Sequence, residues 1–157
     1  PFTASLLETL RARGVELTRI TLHAGVSSLD APDDDERLVV PAEAFEVDAV
    51  TARTVNDALA EGRRVVAIGT GAVRALESAW DGHAVRPVRG WTRRVLTPGR
   101  SGRFLSGLIT GLHGPEASHL RLLQAVLGTE RVQQAYRAAA DADLAAHEFG
   151  DLQLLWR

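Results

Sequence analysis

The sequence predicts an α/β fold, and three observations carry that expectation. A helical pattern over residues 51–61 is followed, past Gly62, by the unbroken apolar run Val65, Val66, Ala67, Ile68, which is the order of a helix feeding a buried strand. Gly69, Thr70 and Gly71 then turn the chain directly into a further helical pattern with Val73, Leu76 and Trp80 on one stripe. Finally, 157 residues of which 45% are hydrophobic suit one core of ordinary size, so residues 1–157 read as a single α/β domain.

From the N-terminus, Thr3 can cap a helix whose Leu6, Leu7 and Leu10 share a face, with Gly14 placed to end it. Residues 15–22 are rich in β-branched side chains and apolar at both parities, the pattern of a strand covered on both faces. That strand delivers Thr21, Leu22, His23, Ala24 and Gly25 to its carboxyl end. The span 27–37, with Pro32 and the run Asp33, Asp34, Asp35, Glu36, has no apolar period and reads as a solvated loop. In the 51–61 helix Val55, Ala58 and Leu59 face inward. Residues 82–114 are broken by Gly, Pro and Arg, with strand-like pieces at 93–96 and 104–109. Two helices follow, one striped by Leu120, Leu123 and Leu127, the other starting from a Thr129 cap and carrying Val132, Tyr136 and Ala139. An apolar strand at 152–156 follows Gly150 and Asp151.

The absence of cysteine excludes disulfides, thiolate metal sites and cysteine nucleophiles. No window approaches a membrane span and no secretory pattern opens the chain, so a cytoplasmic protein without membrane association is expected. Methionine is absent even at position 1, which gives the expectation of a piece of a longer chain. All eighteen basic residues are arginine, a bias that fits a GC-rich genome. Charge is unevenly spread: residues 1–62 hold five arginines against twelve acids, and residues 63–157 thirteen against eight. Between Asp81 and Glu116 there is no acid, but Arg86, Arg89, Arg93, Arg94, Arg100 and Arg103 interleave with Trp91 and Phe104. Phosphate contacts with base stacking need that mixture, and a solvated arginine surface is the other reading.

A glycine turn between strand and helix lets backbone N–H groups and the positive helix end approach an anion, with Arg74 in the first helical turn beside it. A plain tight turn is the alternative. His23 after a strand and His113 in the run Thr110, Gly111, Leu112, His113, Gly114, Pro115 are candidate acid–base groups at a strand-end cleft, or structural hydrogen-bonded histidines. Asp151 reads as a turn former or a cleft carboxylate. No histidine has zinc-helix spacing, so no metal is expected.

Taken in order, Phe2-Thr3, Gly14-Val15, Thr21-Leu22-His23 with Gly25, Thr51-Ala52, Asn56, Gly69-Thr70 with Val73-Arg74 and Leu76-Glu77-Ser78, Gly90-Trp91-Thr92, Pro98-Gly99, Phe104, His113 with Pro115, Ala135-Tyr136 and Gly150-Asp151 form a recognisable set. Over nearly its whole length the chain resembles the C-terminal half of the S-adenosylmethionine:tRNA ribosyltransferase-isomerases. The resemblance implies transfer of the ribosyl part of S-adenosylmethionine to a deazaguanine at the tRNA wobble position, giving epoxyqueuosine, adenine and methionine. It implies part of a barrel-like major domain with mostly parallel strands and flanking helices. S-adenosylmethionine enters as substrate, no separate cofactor is expected, and tRNA is the second partner. Gly69, Thr70, Gly71, Arg74 and Asp151 are the substrate-binding candidates, with Arg74 holding an anionic group such as the methionine carboxylate. His23 and His113 are the catalytic candidates, and the six arginines the RNA-binding ones.

The chain departs from the family's pattern where a His-x-Met-His stretch gives way to Leu38, Val39, Val40 and Pro41, and where Gly71-Ala72, Gly111-Leu112, Glu116 and Glu148-Phe149 replace its usual residues. These departures suggest a divergent paralogue with impaired ribosyl transfer. A non-catalytic RNA-binding or protein-interaction domain on the same scaffold is the alternative.

Overall fold

The computed structural model describes residues 2–24, 41–98, 104–114, 118–146 and 150–157. Helix α1 (Ala4–Ala12) starts where expected, with the Thr3 hydroxyl accepting the Leu6 N–H at 3.2 Å. Strand β1 is only Thr21–Leu22, so the strand expected over 15–22 is corrected to its last two residues. A competing partner explains the difference. The Thr51 hydroxyl donates to the Arg19 carbonyl at 2.7 Å and meets the Thr18 hydroxyl at 2.5 Å, fastening this stretch to a helix rather than to a sheet neighbour.

Strand β2 (Glu43–Val47) buries Glu43, Phe45 and Val47 on one face. Helix α2 (Ala49–Ala60) follows, capped by Asp48, whose carboxylate accepts the Thr51 N–H at 2.7 Å. Strand β3 (Val66–Ile68) and helix α3 (Thr70–Ala79) bracket the glycine turn. The next strand, β4, is Val88–Thr92; it ends before the 93–96 piece anticipated from sequence, which leaves the sheet as the Arg94 N–H donates to the Thr92 hydroxyl at 3.0 Å. Strand β5 (Gly107–Gly111) leads to helices α4 (Ser118–Leu127) and α5 (Thr129–Asp141), then strand β6 (Leu152–Trp156). The cap of α5 is Gly128 at φ 91°, not Thr129.

The fold is mixed α/β, but the expectation of mostly parallel strands is corrected. Two three-stranded sheets are ordered β1-β2-β4 and β3-β5-β6, and among the described residues only β3 and β5 run parallel. Those sheets are not closed into a barrel among the described residues. Helix α3 packs on strands of both, so Val73, Ala75, Leu76 and Ala79 join Phe45, Val47, Leu108 and Leu123 in one core. Asn56 ties α2 to the far side of α3: its amide donates to the Val85 carbonyl and accepts the Val85 N–H, both at 2.9 Å. Trp80 stacks on Phe104 at 4.5 Å, and Phe104 is buried there, which removes it from the base-stacking set the sequence suggested.

Candidate active site at the carboxyl ends of the parallel strands

Parallel pairing sends the carboxyl ends of β3 and β5 to the same edge, with the Gly69 turn after one and the run from Thr110 to His113 near the other. Crevices at such ends are where open α/β sheets place ligands. Gly69 sits at φ 84° and donates its N–H to the Ile109 carbonyl at 2.8 Å, so this N–H is spent within the sheet. Helix α3 has no side-chain cap, which leaves the turn at Thr70 and Gly71 facing the positive end of the helix. Gly69 and Gly71 also line a cavity of about 850 Å³ whose walls include Leu22, Ile68 and Leu76.

Arg74 lies one turn into α3 and reaches away from the glycine turn toward β2. Its Nη1 donates to the Glu43 carboxylate, and its Nε donates to the Arg94 carbonyl at 3.2 Å. Glu43 is only 1% exposed, so an arginine is its natural counter-charge. Arg74 Nη2 is buried and has no hydrogen-bond partner among the described residues. A hydroxyl chain braces this pair: Thr92, the cross-strand neighbour of Glu43, meets Ser78 at 2.7 Å, and Ser78 donates to the Arg74 carbonyl at 2.7 Å.

His113 is held from three directions. Its Nε2 meets the Thr110 hydroxyl at 2.9 Å, its backbone N–H donates to the Tyr136 hydroxyl at 3.0 Å, and its ring stacks on His119 at 4.5 Å with planes 17° apart. Burial pushes the His119 imidazolium toward its neutral form, the Arg74 charge adds to that, and Glu43 opposes it. The histidine stack therefore lies in the field of the Arg74–Glu43 pair. Two groups on different helices, His119 and Arg74, thus join Glu43 from a strand and His113 from a strand end.

The other expected site residues fall elsewhere. His23 is exposed beyond β1, its N–H bonded to the Ala44 carbonyl at 2.9 Å, and projects from the sheet on the side opposite Glu43. Asp151 is exposed, and its carboxylate accepts the Ala145 N–H at 2.9 Å, closing the return from α5 to β6. The acid-free arginine stretch is matched by acids brought from other elements. Arg86 bonds Asp81 at 2.5 Å, Arg89 approaches Glu46 at 3.8 Å, and Arg94 approaches buried Glu77 at 3.5 Å. Asp81 also accepts the His83 and Ala84 N–H groups at 2.9 Å, and these together with Arg86 hold its carboxyl below the usual carboxylate range. Arg93 is exposed, while Arg100 and Arg103 lie outside the described residues. No group of three metal-ligating side chains occurs among the described residues, and no described helix is long and apolar enough to cross a membrane.

Residues 1–155 match the family model described as queuosine biosynthesis protein. The chain belongs to that family. Within the queuosine biosynthesis proteins it is 44% identical to the S-adenosylmethionine:tRNA ribosyltransferase-isomerase of Deinococcus radiodurans, over 99% of this chain and 43% of the relative. The Thermus thermophilus protein of that name is 41% identical over 98% of this chain and 45% of its own length. The crystal structure of the S-adenosylmethionine tRNA ribosyltransferase of Thermotoga maritima matches with a TM-score of 0.78 at 29% identity, covering 98% of this chain and 49% of that one. The chain thus spans about half the length of the family members it matches.

Proposed function

We propose that this protein acts as an S-adenosylmethionine:tRNA ribosyltransferase-isomerase, with Arg74, Glu43, His113 and His119 forming part of its S-adenosylmethionine site. The observation that carries the site is the buried Nη2 of Arg74, which has no hydrogen-bond partner among the described residues, on a guanidinium whose charge acts on His119 of the histidine stack. A guanidinium fixed by Glu43 and the Arg94 carbonyl presents its Nη2 N–H groups to a substrate carboxylate or ribose hydroxyl without having to reorganise. The uncapped start of α3, with Thr70 and Gly71, offers a second place for negative charge, and the adjoining cavity combines apolar walls from Leu22, Ile68 and Leu76 with Arg19, Arg63 and Arg64, a mixture that suits an adenosyl group.

Ribosyl transfer needs a base near the carbon beside the sulfonium, whose acidity the positive sulfur raises, and a hydrogen-bond donor for departing adenine. His119 held neutral is suited to accept a proton, and His113, in contact with both His119 and the Thr110 hydroxyl, is placed to orient it or relay onward. The family departures within the described residues, Pro41, Gly71, Ala72, Gly111 and Leu112, leave Glu43, Arg74, Thr110, His113 and Tyr136 in place. The enzyme reading is therefore preferred over a binding module that has lost catalysis. The remaining length of the family members would supply the rest of a barrel-like major domain, and cytoplasmic tRNA would be the acceptor.

Complementation tests the activity. A bacterium lacking its own ribosyltransferase-isomerase, given the gene that encodes this chain, should regain epoxyqueuosine or queuosine in its tRNA by nucleoside mass spectrometry. Failure to regain either, with the protein expressed and folded, would return the binding-module reading.

A further inference from the structure

The outer face of the β1-β2-β4 sheet carries a second, unrelated arrangement. Strand pairing sets Ala44 opposite Trp91, and the His23 N–H bond to the Ala44 carbonyl places His23 on the other flank of Ala44. The three residues form one cross-strand row, with a ring at each end and a methyl group between. Adjacent strands are about 4.8 Å apart, so the two rings rise from backbones separated by about 10 Å. Trp91 is 73% exposed, the most exposed of the large hydrophobic side chains among the described residues. A recess of about 400 Å³ lies on this face, bordered by His23, Ala44, Glu46, Arg89 and Trp91.

We infer that this row is a slot for one unpaired RNA base, stacked on the Trp91 ring and flanked by His23, with the strand's phosphates held by Arg89 and Arg93. Three features select that occupant. A flat base fits between two side chains spaced across a small residue, whereas a large side chain at position 44 would fill the gap. An indole left open to water on a strand is the device by which sheet-faced RNA-binding modules take single-stranded bases. Arg89 lies on the same face two residues before Trp91, and Arg93 follows just past the end of β4, both exposed, so positive charge borders the ring on both sides along the chain. Glu46 tempers Arg89 at 3.8 Å, which leaves Arg93 as the stronger phosphate contact. The inference rests on tRNA being the second substrate, and it gives His23 a role in RNA contact rather than in the chemistry.

Binding of an anticodon-type stem-loop RNA, and of a fully paired duplex of the same length, should be measured by fluorescence anisotropy for the protein and its variants. S-adenosylmethionine binding is measured in parallel by calorimetry. Trp91→Ala is expected to weaken stem-loop binding about tenfold or more. Trp91→Phe should stay within about threefold of the unsubstituted protein, because a flat ring is kept. Duplex binding and S-adenosylmethionine affinity should be untouched by either change. Trp91→Ala should leave the salt dependence of binding as it is, whereas Arg93→Ala should lower its slope by about 0.7, the value for one phosphate on a single strand. The slot is overturned if Trp91→Ala and Trp91→Phe weaken stem-loop binding equally, if neither weakens it, if duplex binding falls in step, or if the unsubstituted protein binds no stem-loop RNA. A shift in sedimentation on Trp91→Ala without a change in RNA affinity would likewise overturn it, in favour of a second copy on this face. Absence of S-adenosylmethionine binding to the unsubstituted protein would instead count against the proposed enzyme, independently of the slot.

Discussion

Glu43 and Arg74 are separated by 31 residues in sequence yet share one buried contact, and each makes the other tolerable in the core. Removing one member of such a pair leaves the other largely buried without its counter-charge, which costs about 3 kcal/mol. Glu43→Gln should therefore lower the urea midpoint of unfolding by that equivalent, with little change in the slope of the transition. His119 gives a pH signature. Its folded pKa lies below its ordinary value, so the unfolded chain takes up a proton more readily than the folded one. Its contribution to stability is complete above about pH 6.5 and fades as the pH falls through the interval below. Thermal midpoints should accordingly fall between pH 7 and pH 5, and His119→Gln should flatten that part of the profile. Arg74 and His113, which the proposed site takes up, stand out in the sequence from their place after strand-end turns. Glu43 was not, because an acid at the buried parity of β2 interrupts the apolar alternation that announces a strand, and that interruption was itself the available signal. His119 was missed because it lies on a helix, and only the fold lays it against His113.

Helices read well from the sequence and strands less so, for reasons visible in particular elements. Helix α1 begins at its expected cap, and α3 follows its glycine turn as anticipated. Helix α2 begins at Asp48 rather than near Thr51, since the carboxylate cap lies ahead of the apolar stripe that draws attention to the helix. Asp48→Ala should lower the urea midpoint of unfolding, as the loss of a cap does. Its carboxyl is held below the usual carboxylate range, first by the Thr51 N–H, so the cap weakens as acid protonates it. The β4 misplacement arose because Val88 to Thr92 mixes Arg, Gly and Trp, each with a purpose that hydropathy does not report: Thr92 faces the Glu43 side, and Arg89 and Trp91 face outward. Gly150-Asp151 turned out to be a closing element. A Cβ on Gly150 would sit 2.2 Å from the Ala145 carbonyl oxygen, so Gly150→Ala should shift the chain between α5 and β6 and lower the thermal midpoint by several degrees.

Across the whole molecule, the helix-strand-helix order correctly announced mixed α/β architecture but overstated how much of it is parallel. Sequence order cannot show that β4 returns antiparallel to β2, or that β6 returns antiparallel to β5, because both pairings are made by residues more than 40 positions apart. Linear charge patterning misled in the same way. The acid-free stretch is answered in space by Glu46, Glu77 and Asp81, so of the four described arginines within it, Arg93 is the one outside these ion pairs. The same three-dimensional assembly builds the proposed site, since the Arg74 guanidinium is positioned by β2, α3 and the segment after β4 together. The most direct test of that site is calorimetric titration of S-adenosylmethionine into the protein and into Arg74→Ala and Arg74→Lys. Both variants should lose affinity by about tenfold or more, since neither keeps the Nη2 donor and a hydrogen bond to a charged group is worth that much. Unchanged affinity in Arg74→Ala, in a protein that remains folded, would contradict the assignment of this buried arginine to the substrate.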